Sequence, residues 1–184
     1  MFDDDTPSSA PEAPTARMFA WAKNSAAYRL SRRMMTEREL ADAVSRKAQQ
    51  KFEAITEEQV RALADAAVAF GRTLSALDDV AYAEIRTRSS ARAGKSRKAI
   101  ARTLVQKGID REIATEAVQE TDDLKAAVIY ARRRAFGPFR RADVDEKQKA
   151  KELSAFARQG FSFEIGARIF RMDRDEADEI LSDA

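Results

Sequence analysis

The chain contains no cysteine and no histidine. Their absence removes disulfides, thiolate nucleophiles, imidazole acid–base groups and zinc sites built from nitrogen or sulfur ligands. Glycine and proline are scarce, six and four in 184 residues, while charged residues make up 35%. That mixture fits a mostly helical protein. No apolar run approaches the roughly 18 residues of a membrane span, and the N-terminus opens on Asp3, Asp4 and Asp5 where a secretory signal would be basic. A cytoplasmic protein that does not enter membranes is expected.

Without His or Cys, catalysis would fall to carboxylates, lysine, serine or a hard metal ion. The acids cluster at Asp3–Asp5, at Asp122 and Asp123, and over Asp173–Glu179. These positions are a tail or helix starts, where a carboxylate serves first-turn N–H groups and the helix dipole. No loop has the spacing of a calcium hand. Gly94-Lys95-Ser96 has the ending of a phosphate loop, but Ser89 stands where its first glycine belongs and no apolar strand precedes it. The expectation is a non-enzyme with no metal and no cofactor.

What is present is helix with regular punctuation. From Arg92 to Val118, Ser96 opens a helix in which Ile100, Ala101, Leu104 and Val105 recur at helical spacing. Gly108 ends it, and Asp110 caps a second helix carrying Ile113 and Val118. The unit recurs. Gly160 with Phe161 and Ile165 matches Gly108 with Ile109 and Ile113, and Thr36, Leu40, Val44 and Lys47 repeat the spacing of Ser96, Ile100, Leu104 and Lys107. No glycine stands at the corresponding turn of the first copy, where Gln49–Ile55 reads as an irregular link. Further boxes at Thr56 with Gln59, Asp143 with Glu146 and Asp173 with Glu176 mark helix starts, as do Thr121 and Ser162. Gly71 and Gly137-Pro138 read as stops, and Trp21 and Tyr28 as core. Tandem helical modules result: a disordered acidic tail over 1–16, helical repeats over 17–74, 75–120 and 121–184, the last ending in an acidic helix.

The net charge of +2 hides a polarity. Residues 1–16 hold four acids and no base, and 172–184 hold six acids against Arg174, which leaves +11 for 17–171. From Ile85 to Ile109 there are eight Lys or Arg and no acid. Similar clusters lie at Arg29, Arg32 and Arg33 and over Arg132–Arg141. Modules stacked in a line would turn such clusters into a stripe suited to a polyanion or an acidic protein surface.

Asp79-Val-Ala-Tyr-Ala, the basic connection after it, Gly94-Lys-Ser-Arg with Ile100 and Leu104, Lys107-Gly-Ile, and Gln159-Gly-Phe with Ile165 together resemble the bacterial RecX family, over roughly Ala26 to Phe170. The resemblance implies an all-α fold, an elongated tandem array of three three-helix repeats. It implies a monomeric cytoplasmic regulator that binds the RecA protein filament, inhibits its ATPase, strand-exchange and coprotease activities, and binds single- and double-stranded DNA more weakly. Arg92, Lys95, Arg97, Lys98, Arg102 and Lys107 of the second repeat, with Arg132, Arg133, Arg134, Arg140 and Arg141 of the third, are the expected contacts to RecA acids or DNA phosphates. The alternative is a helix-turn-helix module that binds DNA or RNA without RecA. Against it, the helix after Gly108 offers mainly Glu112, Thr115, Glu116 and Gln119 to a groove.

Overall fold

A short oxygen-bearing side chain stands at almost every point where this chain enters a helix. The computed structural model describes residues 13–183, and among them ten α-helices and no strand occur. They are α1 (Ala16–Leu30), α2 (Glu37–Lys51), α3 (Glu57–Thr73), α4 (Asp79–Arg92), α5 (Arg97–Gln106), α6 (Arg111–Ala117), α7 (Asp123–Arg134), α8 (Glu146–Arg158), α9 (Phe163–Arg171) and α10 (Arg174–Ser182). A 3-10 turn, Gly137–Phe139, lies between α7 and α8. Thr36 and Thr56 build complete capping boxes with Glu39 and Gln59, and Ser96, Asp110, Ser162 and Asp173 each accept from a first-turn N–H.

Two caps lie beside their expected positions. Asp122, not Thr121, opens α7, its Oδ1 accepting from the Leu124 and Lys125 N–H groups at 2.8 and 3.0 Å. Asp145, not Asp143, opens α8 by accepting from Gln148 N–H at 2.7 Å. In each case the carboxylate with the first-turn N–H groups in reach takes the role. Helix α2 runs on to Lys51, so the irregular link is shorter than Gln49–Ile55. Helix α3 passes through Gly71 to Thr73. Leu77 and Leu30 lie against Gly71, which makes it a site of close packing and not a stop. Of the acidic 1–16 segment, residues 1–12 lie outside the described residues, and Thr15 already caps α1.

The chain forms two compact units, one ending at Asp79 and the other beginning at Val80. In the first, Leu40, Val44 and Leu63 are buried among Ala22, Ala26, Ala43, Ala48 and Ala67, small residues that let α1, α2 and α3 approach closely. Trp21 packs edge-on to Phe52 at 5.1 Å, as a core residue should. Tyr28 does not: it is 62% exposed, under the Arg32 guanidinium at 5.4 Å, because it faces outward near the end of α1.

The second unit holds two cores. Tyr82, Ile100, Leu104, Ile109 and Val118 join α4, α5 and α6. Val128, Phe139, Phe156, Phe161 and Ile169 join α7 to α10, with Tyr130 edge-on to Phe156 at 5.2 Å. Gly108 and Gly160 adopt φ of +90° and +87° at the α5–α6 and α8–α9 turns, a region that costs an L side chain energy. Ala54 sits at φ +51° between α2 and α3. Ile55 and the Thr56 cap follow it as Ile109 and Asp110 follow Gly108. The first copy thus places a positive-φ residue at the same distance before its next helix, but by a different turn: α2 ends in the extended Phe52, and Ala54 comes two residues later.

Candidate macromolecule-binding surface

Helix α5 turns Ile100 and Leu104 into the core and leaves Arg97, Lys98 and Arg102 exposed. Lys98 and Arg102 lie one turn apart on the same outward face. Two cations in the first turn oppose the positive end of the α5 dipole. Asp123 offsets this: its Oδ1 accepts from Arg97 N–H at 2.7 Å and its Oδ2 lies 3.5 Å from Arg97 Nε. Arg97 is thus half committed to holding α5 against the start of α7. Arg92 ends α4, Lys95 lies in the α4–α5 turn, and both are exposed. Lys107 caps the C-terminus of α5 and is half-buried.

The α4–α5 turn is seated on α7. A Cβ on Gly94, whose φ is +75°, would come within 2.9 Å of Tyr130 N and 3.1 Å of Ala126 O, so only glycine allows this approach. Arg133 Nη1 donates to Ala93 O at 2.6 Å. These contacts bring the basic end of α7, with Arg132 and Arg134 exposed beside Arg133, up to the turn that carries Arg92 and Lys95. On the other side, Ser96 Oγ accepts from Ala99 N–H at 3.2 Å and donates to Gln159 O at 2.6 Å. Gly160 lies so near that an added Cβ would meet Ser96 Oγ at 2.7 Å and Lys98 Cβ at 3.3 Å.

The predicted site residues therefore divide. Arg92, Lys95, Lys98, Arg102, Arg132 and Arg134 have no carboxylate partner among the described residues, Arg134 lying over the Phe136 ring at 5.6 Å. Arg97 and Arg133 keep exposed side chains while tying the second set of helices to the third. Arg141 is exposed beyond the 3-10 turn. Arg140 is built into the packing: it grips Glu152, which is 3% exposed, through Nη2 at 2.7 Å and Nε at 3.1 Å, and lies 4.8 Å over Phe170. Sequence spacing gave no sign of this pair, because the partners are twelve residues apart on separate elements.

The first unit has a basic hollow of its own, about 490 Å³, lined by Arg29, Arg32, Arg33 and Arg46 with Glu39 and Asp42. Arg33 there pairs with Glu39 at 3.3 Å. Among the described residues no three carboxylates converge to hold a metal ion, and no helix is long and apolar enough to cross a membrane.

A family model described as RecX, second three-helix domain, matches residues 78–118, the span of α4, α5 and α6. Regulatory protein RecX of Agrobacterium fabrum is 61% identical over 171 residues, covering 93% of both chains. Regulatory protein RecX of Myxococcus xanthus is 31% identical over 166 residues, covering 86% of this chain and 89% of that one. The crystal structure of RecX from Lactobacillus salivarius superposes with a TM-score of 0.66 at 24% identity, over 85% of this chain and 97% of that one, which supports the all-helical repeat fold.

Proposed function

The chain belongs to the RecX family of regulatory proteins, and on that footing we propose that it binds the RecA filament on DNA and lowers its ATPase, strand-exchange and coprotease activities. It acts by binding alone, as a monomer in the cytoplasm. The observation that carries the reading is the joined basic surface of the second unit, where two sets of helices are tied by backbone-level contacts and Arg92, Lys95, Lys98, Arg102, Arg132 and Arg134 have no carboxylate partner among the described residues. Arg92, Lys95, Lys98, Arg102, Lys107, Arg132, Arg134 and Arg141 contact RecA acids or DNA phosphates, while Arg97 and Arg133 hold the surface together and add to its charge. Three modules, over 17–74, 75–120 and 121–184, make up the binding array. The same surface gives weaker, nonspecific affinity for single- and double-stranded DNA, which should fall with salt by a log–log slope of roughly 0.7 to 0.9 for each phosphate engaged.

A helix-turn-helix reader is disfavoured by α6. It is seven residues long, and Glu112 and Glu116 are exposed on it, where phosphates would repel them. The test is RecA-catalysed, single-strand-dependent ATP hydrolysis titrated with this protein. Hydrolysis should fall at fewer than one copy per RecA subunit. A rate unchanged at equimolar protein contradicts the proposal.

A further inference from the structure

Within the second unit, α4, α6 and the start of α7 enclose a groove of about 650 Å³ with no α5 residue in its lining. Its floor is apolar, with Val80, Ala91, Ile113, Ala117, Ala126 and Ile129. Val80 is 50% exposed there, at one edge of this apolar floor. Thr87 also lines the groove. It is 5% exposed, and its hydroxyl has no hydrogen-bond partner within the protein. That hydroxyl is closed to solvent, so Thr87 shapes the groove wall and is not itself a contact point.

The rim decides what the apolar floor receives. It carries four carboxylates, Glu84, Glu116, Glu120 and Asp122, against Arg88, Arg92 and Lys125. Several are already used. Glu84 pairs with Arg88 at 3.6 Å, Asp122 caps α7, and Lys125 Nζ donates to Asp183 O. Glu116 and Glu120 remain on one wall and Arg92 on the other. The groove adjoins the basic surface at Arg92, but its Glu116 and Glu120 wall repels a nucleic acid. An apolar floor between a free acidic pair and a free arginine fits one amphipathic stretch of polypeptide with a Lys or Arg on one flank and a carboxylate on the other.

We infer that this groove is a second, DNA-independent docking site, which receives an amphipathic segment of the protein partner while the α5 and α7 cations hold phosphates. The inference rests on the proposed function for the partner, RecA, and divides the labour between two surfaces. The partner segment buries Val80 and Ile113 and sets its charged flanks against Glu116, Glu120 and Arg92.

Charge reversal separates the two surfaces by sign. Glu116→Arg with Glu120→Arg makes the protein more basic, so affinity for bare single-stranded DNA should hold or rise. Affinity for RecA filaments assembled on single-stranded DNA should fall about tenfold, as two reversed rim charges imply. Val80→Lys places a charge on the exposed apolar floor. It should leave the half-exposed position stable in the free protein and weaken filament binding about fivefold, as the loss of one partly buried apolar side chain at the contact implies. Both variants are measured as full-length labelled protein by anisotropy, with circular dichroism to establish that they fold. Filament affinity unchanged in both variants overturns the groove inference and leaves the proposed function standing. A wild-type chain that ignores the filaments overturns both. Self-association of the wild type that the double variant abolishes would make the occupant a second copy and also overturn the inference.

Discussion

Arg140 shows how one side chain changes meaning between sequence and structure. In the sequence it closes a run of arginines. In the fold it neutralises Glu152, whose side chain is 3% exposed. Arg140→Ala would leave that carboxylate buried and alone, at a cost of about 3–5 kcal/mol. Urea unfolding of this variant beside Arg141→Ala, which should change stability by less than about 0.5 kcal/mol, distinguishes the two neighbours. Ala54 is a residue of the opposite kind. Its φ of +51° costs an alanine about 1 kcal/mol relative to glycine. Ala54→Gly should therefore raise the unfolding free energy by about that amount, against the usual penalty for glycine, and denaturant titration reads the sign. At Asp79, Oδ1 accepts from Glu37 N–H at 3.1 Å, and burial raises its pKa above the ordinary carboxylate value, with the nearby Glu37 charge adding to the rise. A raised carboxyl favours the fold while protonated, and that contribution is lost as the pH climbs through the folded-state value. Asp79→Asn keeps the acceptor and removes the titration. Its stability relative to wild type should improve between about pH 3.5 and pH 7, as unfolding at the two pH values would measure.

At the scale of the helix, the sequence was largely readable because capping is local. Thr36, Thr56, Ser96, Asp110, Ser162 and Asp173 each announce a helix start within four residues of the groups they serve. Periodicity placed Leu40, Val44, Ile100, Leu104 and Phe156 in the cores for the same reason. The stops were harder to read. Gly71 carries the same letter as Gly108, yet α3 runs through it, since its function is to admit Leu77 and Leu30. Ala54 has the conformation without the letter. Contacts between elements left no local mark at all: Ser96 with Gln159 spans 63 residues, and Arg133 with Ala93 spans 40. Ser96 does two jobs, capping α5 and anchoring the α8–α9 turn, and it is fully buried. Ser96→Ala should cost about 2–3 kcal/mol, more than an exposed cap, because Gln159 O also loses its donor. Restoring only the cap with Ser96→Asp should not recover it, since a carboxylate has no proton to donate to that carbonyl. Thermal unfolding of both variants provides the comparison.

At the largest scale, the second unit gathers positive charge without carboxylate partners among the described residues where α4–α6 meet α7–α10, while many of its acids serve caps and internal pairs. The sequence disclosed the excess of charge and the modules. It did not disclose that Gly94, Arg133 and Asp123 draw the α5 and α7 clusters together, because those contacts span 26 to 40 residues. The claim that this surface makes the chain a regulator is tested most directly by one comparison. RecA ATP hydrolysis on single-stranded DNA is measured with the wild type and with a variant in which Lys98, Arg102, Arg132 and Arg134 are all glutamate. All four are exposed and without carboxylate partners, so helicity and Tm should hold. The account predicts strong inhibition by the wild type and none by the variant at the same ratio. Equal inhibition by both proteins would contradict it.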